Sequence, residues 1–111
     1  MSKENEEPVK SGNLVIAEVR FRILPPDPEE GIFDTGAKIF APVQEDDYWS
    51  CSLDIGWLGV TRKLAGADSM QALCAALMIL RKEIELHREG GYRFFYIGER
   101  AEEFQFSNYW L

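Results

Sequence analysis

The side chains with the most chemical capacity in this chain are its one histidine, His87, and its two cysteines, Cys51 and Cys74. A general base needs a partner that positions it. His87 stands beside Arg88 and Glu89 at the polar end of a helical stretch, so it is read as a solvated side chain. Cys51 and Cys74 fall in apolar segments and are read as buried free thiols, which are poor nucleophiles. A disulfide between them is the sharper alternative, because the two segments should face each other. No Cys and His cluster has metal-ligand spacing. Gly59 and Gly66 lack the lysine and the spacing of a phosphate loop, and no serine sits in a nucleophile elbow. The expectation is a non-enzymatic protein with no catalytic residue, no cofactor and no metal.

The carboxylates are the other candidates. Asp27, Glu29, Glu30 and Asp34 lie in the Pro25–Gly36 connection, and Glu45, Asp46 and Asp47 form a second acidic turn. Together they account for the whole formal charge of -7. Clustered carboxylates can hold a divalent cation, but neither group matches the Asp-x-Asp-x-Asp-Gly loop. Solvated loops and a docking surface for a basic protein are the remaining readings. On the second, the partner-binding set is Glu29, Glu30, Asp34, Glu45, Asp46 and Asp47, with Phe40 and Tyr48 from the neighbouring sheet face. The same charge argues against nonspecific nucleic-acid binding, which requires a cationic surface.

These residues need a scaffold, and 111 residues suffice for one domain with an ordinary core. Residues 1–12 are polar and aperiodic and are read as a flexible tail, with a single domain over 13–111. Asn13 to Leu24 alternates with the two-residue period of a strand, Val15, Ala17, Val19, Phe21 and Ile23 on one face. Pro25-Pro26-Asp27-Pro28 ends it. Ile32 and Phe33 should pin the following loop to the body. Ala37 to Gln44 is a second strand, with Pro42 suggesting an edge or a bulge. Tyr48 to Trp57 is a third, burying Trp49, Cys51, Leu53 and Ile55 and turning Ser50, Ser52 and Asp54 to the other face. Leu58 to Ala65 reads as an irregular extension or a short edge strand.

Asp68 then caps a long helix, and Gln71 three residues on completes a capping-box pattern. Met70, Leu73, Cys74, Leu77, Leu80 and Ile84 recur at helical spacing as the core stripe, widened by Ala72, Ala75, Ala76 and Ile79. Gly90-Gly91 stops the helix, and Tyr92 to Ile97 is a last strand. Phe104 to Leu111 carries four aromatics; docking on this domain is favoured over docking on a partner, since exposure would leave a large apolar patch. The fold class is α+β, two-layer: an antiparallel sheet of about four strands, in chain order β-β-β-α-β, with one long helix on one face.

Trp49-Ser50-Cys51, Ile55-Gly56, Ala65-Gly66-Ala67-Asp68-Ser69-Met70-Gln71-Ala72-Leu73 and Ala76-Leu77 together resemble a family of small bacterial domains of unknown function. Its pattern is W-x-C, a short spacer, then G-x-D-S-x-Q-A-L opening a long amphipathic helix, and the likeness covers residues 14–97. The resemblance implies a bacterial, cytoplasmic protein in which the aspartate caps the helix; no catalytic residue carries over. By analogy with other small acidic domains it suggests an immunity-type inhibitor of a basic toxin. The expectation is therefore a protein-binding module with a protein partner or a second copy, no nucleic acid and no membrane. The longest apolar run, Met70 to Leu80, is too short for a bilayer. The alternative is a small-ligand binder or enzyme with a pocket between helix and sheet near Trp49, Trp57 and Tyr92.

Overall fold

The computed structural model describes residues 14–98 and 102–106; the expected tail at 1–12 and the aromatic residues Tyr109 and Trp110 lie outside them. The chain is α+β, but the sheet has six strands rather than four. They are β1 (Val15–Leu24), β2 (Phe33–Phe40), β3 (Val43–Gln44), β4 (Trp49–Ile55), β5 (Val60–Gly66) and β6 (Arg93–Tyr96). A single long helix, α1 (Ser69–Glu89), sits between β5 and β6 in sequence.

All pairings are antiparallel. β4 runs along β5 for its full length on one side. On the other side it meets β2 through Leu53–Ile55 and β3 through Trp49 and Ser50. β2 and β3 are thus one strand broken at Ala41-Pro42, where proline removes a ladder donor. β1 lies beyond β2, and β6 closes that side by pairing only with Phe21–Leu24. Of the two readings for Leu58 to Ala65, an irregular extension or a short edge strand, the structure has the strand: β5, paired among the described residues with β4 alone. Its side chains are mostly exposed, so it gives no apolar alternation, and its backbone pairing with β4 defines it.

The helix begins as the sequence implies. The Asp68 carboxylate accepts the Gln71 amide at 2.8 Å, and the Gln71 side chain accepts the Ala67 amide in return. Only Ala67 and Asp68 separate β5 from α1, so the helix folds straight back over the nearest strands, β4 and β5. Gly66 makes that return possible: a Cβ there would meet the Ala72 amide nitrogen and stand 2.8 Å from the Gln71 carbonyl carbon.

This close approach decides which residues face inward. The buried stripe is Ala72, Ala76, Leu80 and Ile84. Leu73 and Leu77 are half-buried, whereas Met70, expected in the core, is 67% exposed, and Cys74 is exposed as well. Near Gly66 the small side chains of Ala72 and Ala76 take the interface, and Leu80 and Ile84 take it further along the helix. At the far end Gly91 adopts φ 98° and ends the helix, its amide donating to the Arg88 carbonyl and that of Tyr92 to the His87 carbonyl.

Phe21, Ile23, Ala37, Ile39, Cys51, Leu53, Ile55 and Phe94 supply the sheet side of the core. The described part of the C-terminal segment docks on it. Phe104 is 1% and Phe106 7% exposed, and the Phe104 ring meets Phe21 at 4.8 Å, edge to face. The Arg88 guanidinium donates to the Phe104 carbonyl, and the Phe104 amide donates to the Phe94 carbonyl. Beside α1, the segment thus roofs part of β1.

Candidate functional site

The acidic residues do not act as one surface. Asp34 sits on β2 and is held by a two-point contact with Arg22 across the strand pair, 2.8 and 2.9 Å. That hydrogen bond keeps its carboxyl below the usual range and raises the guanidinium's pKa. Glu45 accepts the Ser50 hydroxyl at 2.7 Å and pairs with Lys63 on β5 at 3.0 Å, raising the lysine's pKa. Ser50, expected on the open face, is buried by this contact. Asp27 caps a short 3-10 turn, Pro28–Glu30, by accepting the Glu29 amide.

Asp34 and Glu45 are therefore committed to internal pairs, which leaves Glu29, Glu30, Asp46 and Asp47 as the outward-acting part of the expected set. Glu29 and Glu30 lie at the β1–β2 end of the sheet, Asp46 and Asp47 at the β3–β4 end. Tyr48 is 41% exposed beside the second group, while Phe40 is only half-buried on β2 and its carbonyl accepts from the Cys51 thiol. Ile32 does not pin its loop, being largely exposed; the loop is tied instead by the Tyr92 hydroxyl, which donates to Glu30 Oε1 at 3.3 Å. Among the described residues no three His, Cys, Asp or Glu side chains converge as a metal set.

Two concave features matter more. Because α1 lies over β4 and β5, the β1–β2 face is left to the C-terminal segment, whose described residues 102–106 do not fill it. A groove of about 350 Å³ remains, lined by Ala17, Val19, Ala37, Ile39, Leu77, Leu80, Phe104 and Phe106, with Glu18 at its rim. A shallower apolar depression formed by Cys74, Leu77, Met78 and Arg81 continues it over the outer face of the helix. Met78 is 70% exposed there. Of the residues in this depression, Cys74 and Leu77 were assigned to the core stripe; Leu77 is half-buried and Cys74 is exposed.

The second feature lies where the helix ends. Ile23, Glu30, Phe33, Trp57, His87 and Tyr92 line a cavity of about 190 Å³. His87 is not a solvated side chain. It is half-buried, and its ring meets Tyr92 at 5.3 Å and Trp57 at 6.2 Å, both edge to face. Its Nδ1 lies 2.9 Å from the Glu83 carbonyl. A carbonyl only accepts, so Nδ1 carries the hydrogen of this contact. Trp57 packs on Phe21 and Phe94, its indole N–H buried without an acceptor. The Glu30 charge raises the pKa of Tyr92. Trp57 and Tyr92 were expected near a helix–sheet pocket and both line this one; Trp49 does not. His87 and Glu30 were not placed there by sequence, because the reversal at Gly90-Gly91 and the 3-10 turn bring them together from distant positions.

Both cysteines are free thiols, which excludes the disulfide among the described residues. Burial pushes the Cys51 thiol up, whereas Cys74 is exposed on the outer helix face, contrary to its expected burial. No helix among the described residues is long and apolar enough to cross a membrane.

Comparison with known proteins finds no match among curated proteins and none among solved structures. A family model described as a domain of unknown function (DUF6968) matches residues 21–106, from the buried Phe21 through Phe106 and including every residue of the His87 cavity. The chain therefore belongs to the DUF6968 family of domains of unknown function.

Proposed function

We propose that this chain is a non-enzymatic protein-binding module that seats an apolar segment of a basic partner in the groove between α1 and the β1–β2 face. The observation that carries the reading is the groove itself. About 350 Å³ lined almost wholly by carbon, continuous with an exposed methionine and cysteine, is surface that soluble proteins keep for partners. The occupant is basic because the chain carries a charge of -7, whose field draws cationic proteins in and speeds their encounter. Glu29, Glu30, Asp46 and Asp47 at the two ends of the sheet supply the outward part of that field. An immunity-type inhibitor of a basic bacterial toxin, acting in the cytoplasm, is the specific form we favour, supported by the acidity and by the likeness in the helix-entry motif.

The test is binding to purified basic proteins encoded beside this one, followed by biolayer interferometry. Met78→Asp should weaken a true partner by tenfold or more, since it places a charge in the apolar contact (~1.4 kcal/mol per decade). Charge reversal at Glu29, Glu30, Asp46 and Asp47 should slow association and flatten its salt dependence. A complex indifferent to both changes would refute the reading.

A further inference from the structure

The cavity at the helix end has a chemistry of its own, and it does not depend on the groove. Its carboxylate is that of Glu30; its other polar groups are the His87 ring, whose Nδ1 lies against the Glu83 carbonyl, and the Trp57 indole N–H, buried without an acceptor among the described residues. The Tyr92 hydroxyl is already spent as a donor to Glu30. The remaining walls are the rings of Phe33, Trp57 and Tyr92 and the side chain of Ile23. Aromatic faces carry negative charge density and attract cations within about 6 Å of the centroid. Among the described residues no lysine or arginine lines the cavity. Asp27 and Glu29, in the turn that also presents Glu30, deepen the negative field at its mouth.

We infer that the pocket formed by Phe33, Trp57, His87, Tyr92 and Glu30 binds a cationic ammonium group, the rings enclosing it and the Glu30 carboxylate neutralising it. An anion is disfavoured by Glu30. A neutral apolar group would forgo both the carboxylate and the ring electrostatics. Size narrows the class further. At about 190 Å³ the cavity takes an ammonium head with its first carbons, not a drug-sized molecule, whose pockets run roughly 300–1,000 Å³. The head can belong to a free small amine or to the tip of a lysine side chain on another protein; the chemistry is shared.

The experiment titrates the full-length ¹⁵N-labelled chain and follows the Trp57 indole N–H, assigned with Trp57→Phe. Three probes are added separately: choline, its uncharged isostere 3,3-dimethylbutan-1-ol, and Nα-acetyl-lysine methylamide. Choline or the lysine derivative should move the indole signal saturably, and the isostere should bind at least tenfold more weakly. Glu30→Gln, on an exposed turn, should weaken the cation by tenfold or more, while Glu29→Gln changes it less than threefold. Tighter binding of choline identifies a free amine as the ligand class, and tighter binding of the lysine derivative identifies a side chain. Equal binding of choline and the isostere, unchanged affinity in Glu30→Gln, or no saturable shift of either cation by ~50 mM would each overturn the inference. The isostere comparison needs no variant, so it decides the matter even if a substitution perturbs folding. Loss of groove-dependent partner binding would leave these results unchanged.

Discussion

Truncating Phe104 to alanine tests whether the segment after β6 belongs to the core. The ring is 1% exposed and touches Phe21 and Phe106 at 4.8 Å and Tyr96 at 5.3 Å. Removing a buried phenylalanine forfeits about 2–3 kcal/mol of transfer energy. Lost edge-to-face contacts add about 0.5–1.5 kcal/mol for a pair, not additively over three. The segment lies at the side of the sheet and can settle inward, which trims the cavity term. The Phe104 amide and carbonyl keep their bonds to Phe94 and Arg88, since these are main-chain groups. The net expectation is about 3–4 kcal/mol, inside the ~3–5 range for Phe→Ala. A chain of this size holds only about 6–16 kcal/mol in all. The midpoint of thermal unfolding should therefore fall by about 12–16 °C, at ~4 °C per kcal/mol. Urea titration followed by far-UV circular dichroism should show a lower midpoint at unchanged slope. Phe95→Ala, truncating a half-buried ring beneath Arg93, should cost about 1–2 kcal/mol. A loss below 1 kcal/mol for Phe104→Ala, or a larger loss for Phe95→Ala, would refute the account of the segment as core.

Three further outcomes follow from the same coordinates. Gly66→Ala should destabilise by about 3 kcal/mol in urea titration, because the added methyl meets helix backbone rather than a side chain that can swing away. The native chain should show one fast thiol toward Ellman's reagent, Cys74, with Cys51 reacting only on unfolding; two fast thiols would contradict the buried position of Cys51. Glu30→Gln should lower the Tyr92 pKa toward that of free tyrosine in a titration read at the phenolate band. In the native chain the raised pKa means that Tyr92 favours folding below the unfolded value, near 10. That preference is lost as pH rises from there through the folded pKa.

Much of this architecture is written in local pattern. The period-two alternation of β1, β2 and β4 and the Asp68–Gln71 cap needed no tertiary information, and Pro42 marks the break between β2 and β3. β5 was obscure for a definite reason: Val60–Gly66 keeps most of its side chains in water, so only its main-chain pairing to β4 makes it a strand. The helix stripe was legible at Ala72, Ala76, Leu80 and Ile84, which are buried, and misread at Met70 and Cys74, which are exposed. Ala72 and Ala76 are inside because Gly66 brings the backbones close, a distance no one-dimensional pattern contains. The candidate site was less legible still. Glu30 was picked out for charge alone, yet it shares a cavity with His87, Trp57 and Tyr92, which approach it only after the chain reverses at Gly90-Gly91. Asp34 and Glu45 looked equivalent to them and are not, because Arg22 and Lys63 sit opposite in the sheet.

The incomplete cover of β1 by β6 has a consequence for life at high concentration. Among the described residues no strand pairs with that side of β1 from Val15 to Arg20, and strand borders without a partner invite other chains to zip onto them. Here the ladder to β2 slips at Ile16, which coils the border out of line, and Glu18 and Arg20 space it with opposite charges. These are the devices by which soluble sheets resist stacking into fibrils. Replacing Glu18 and Arg20 with threonine would preserve strand preference and remove that guard, leaving a chain prone to seed its own polymerisation.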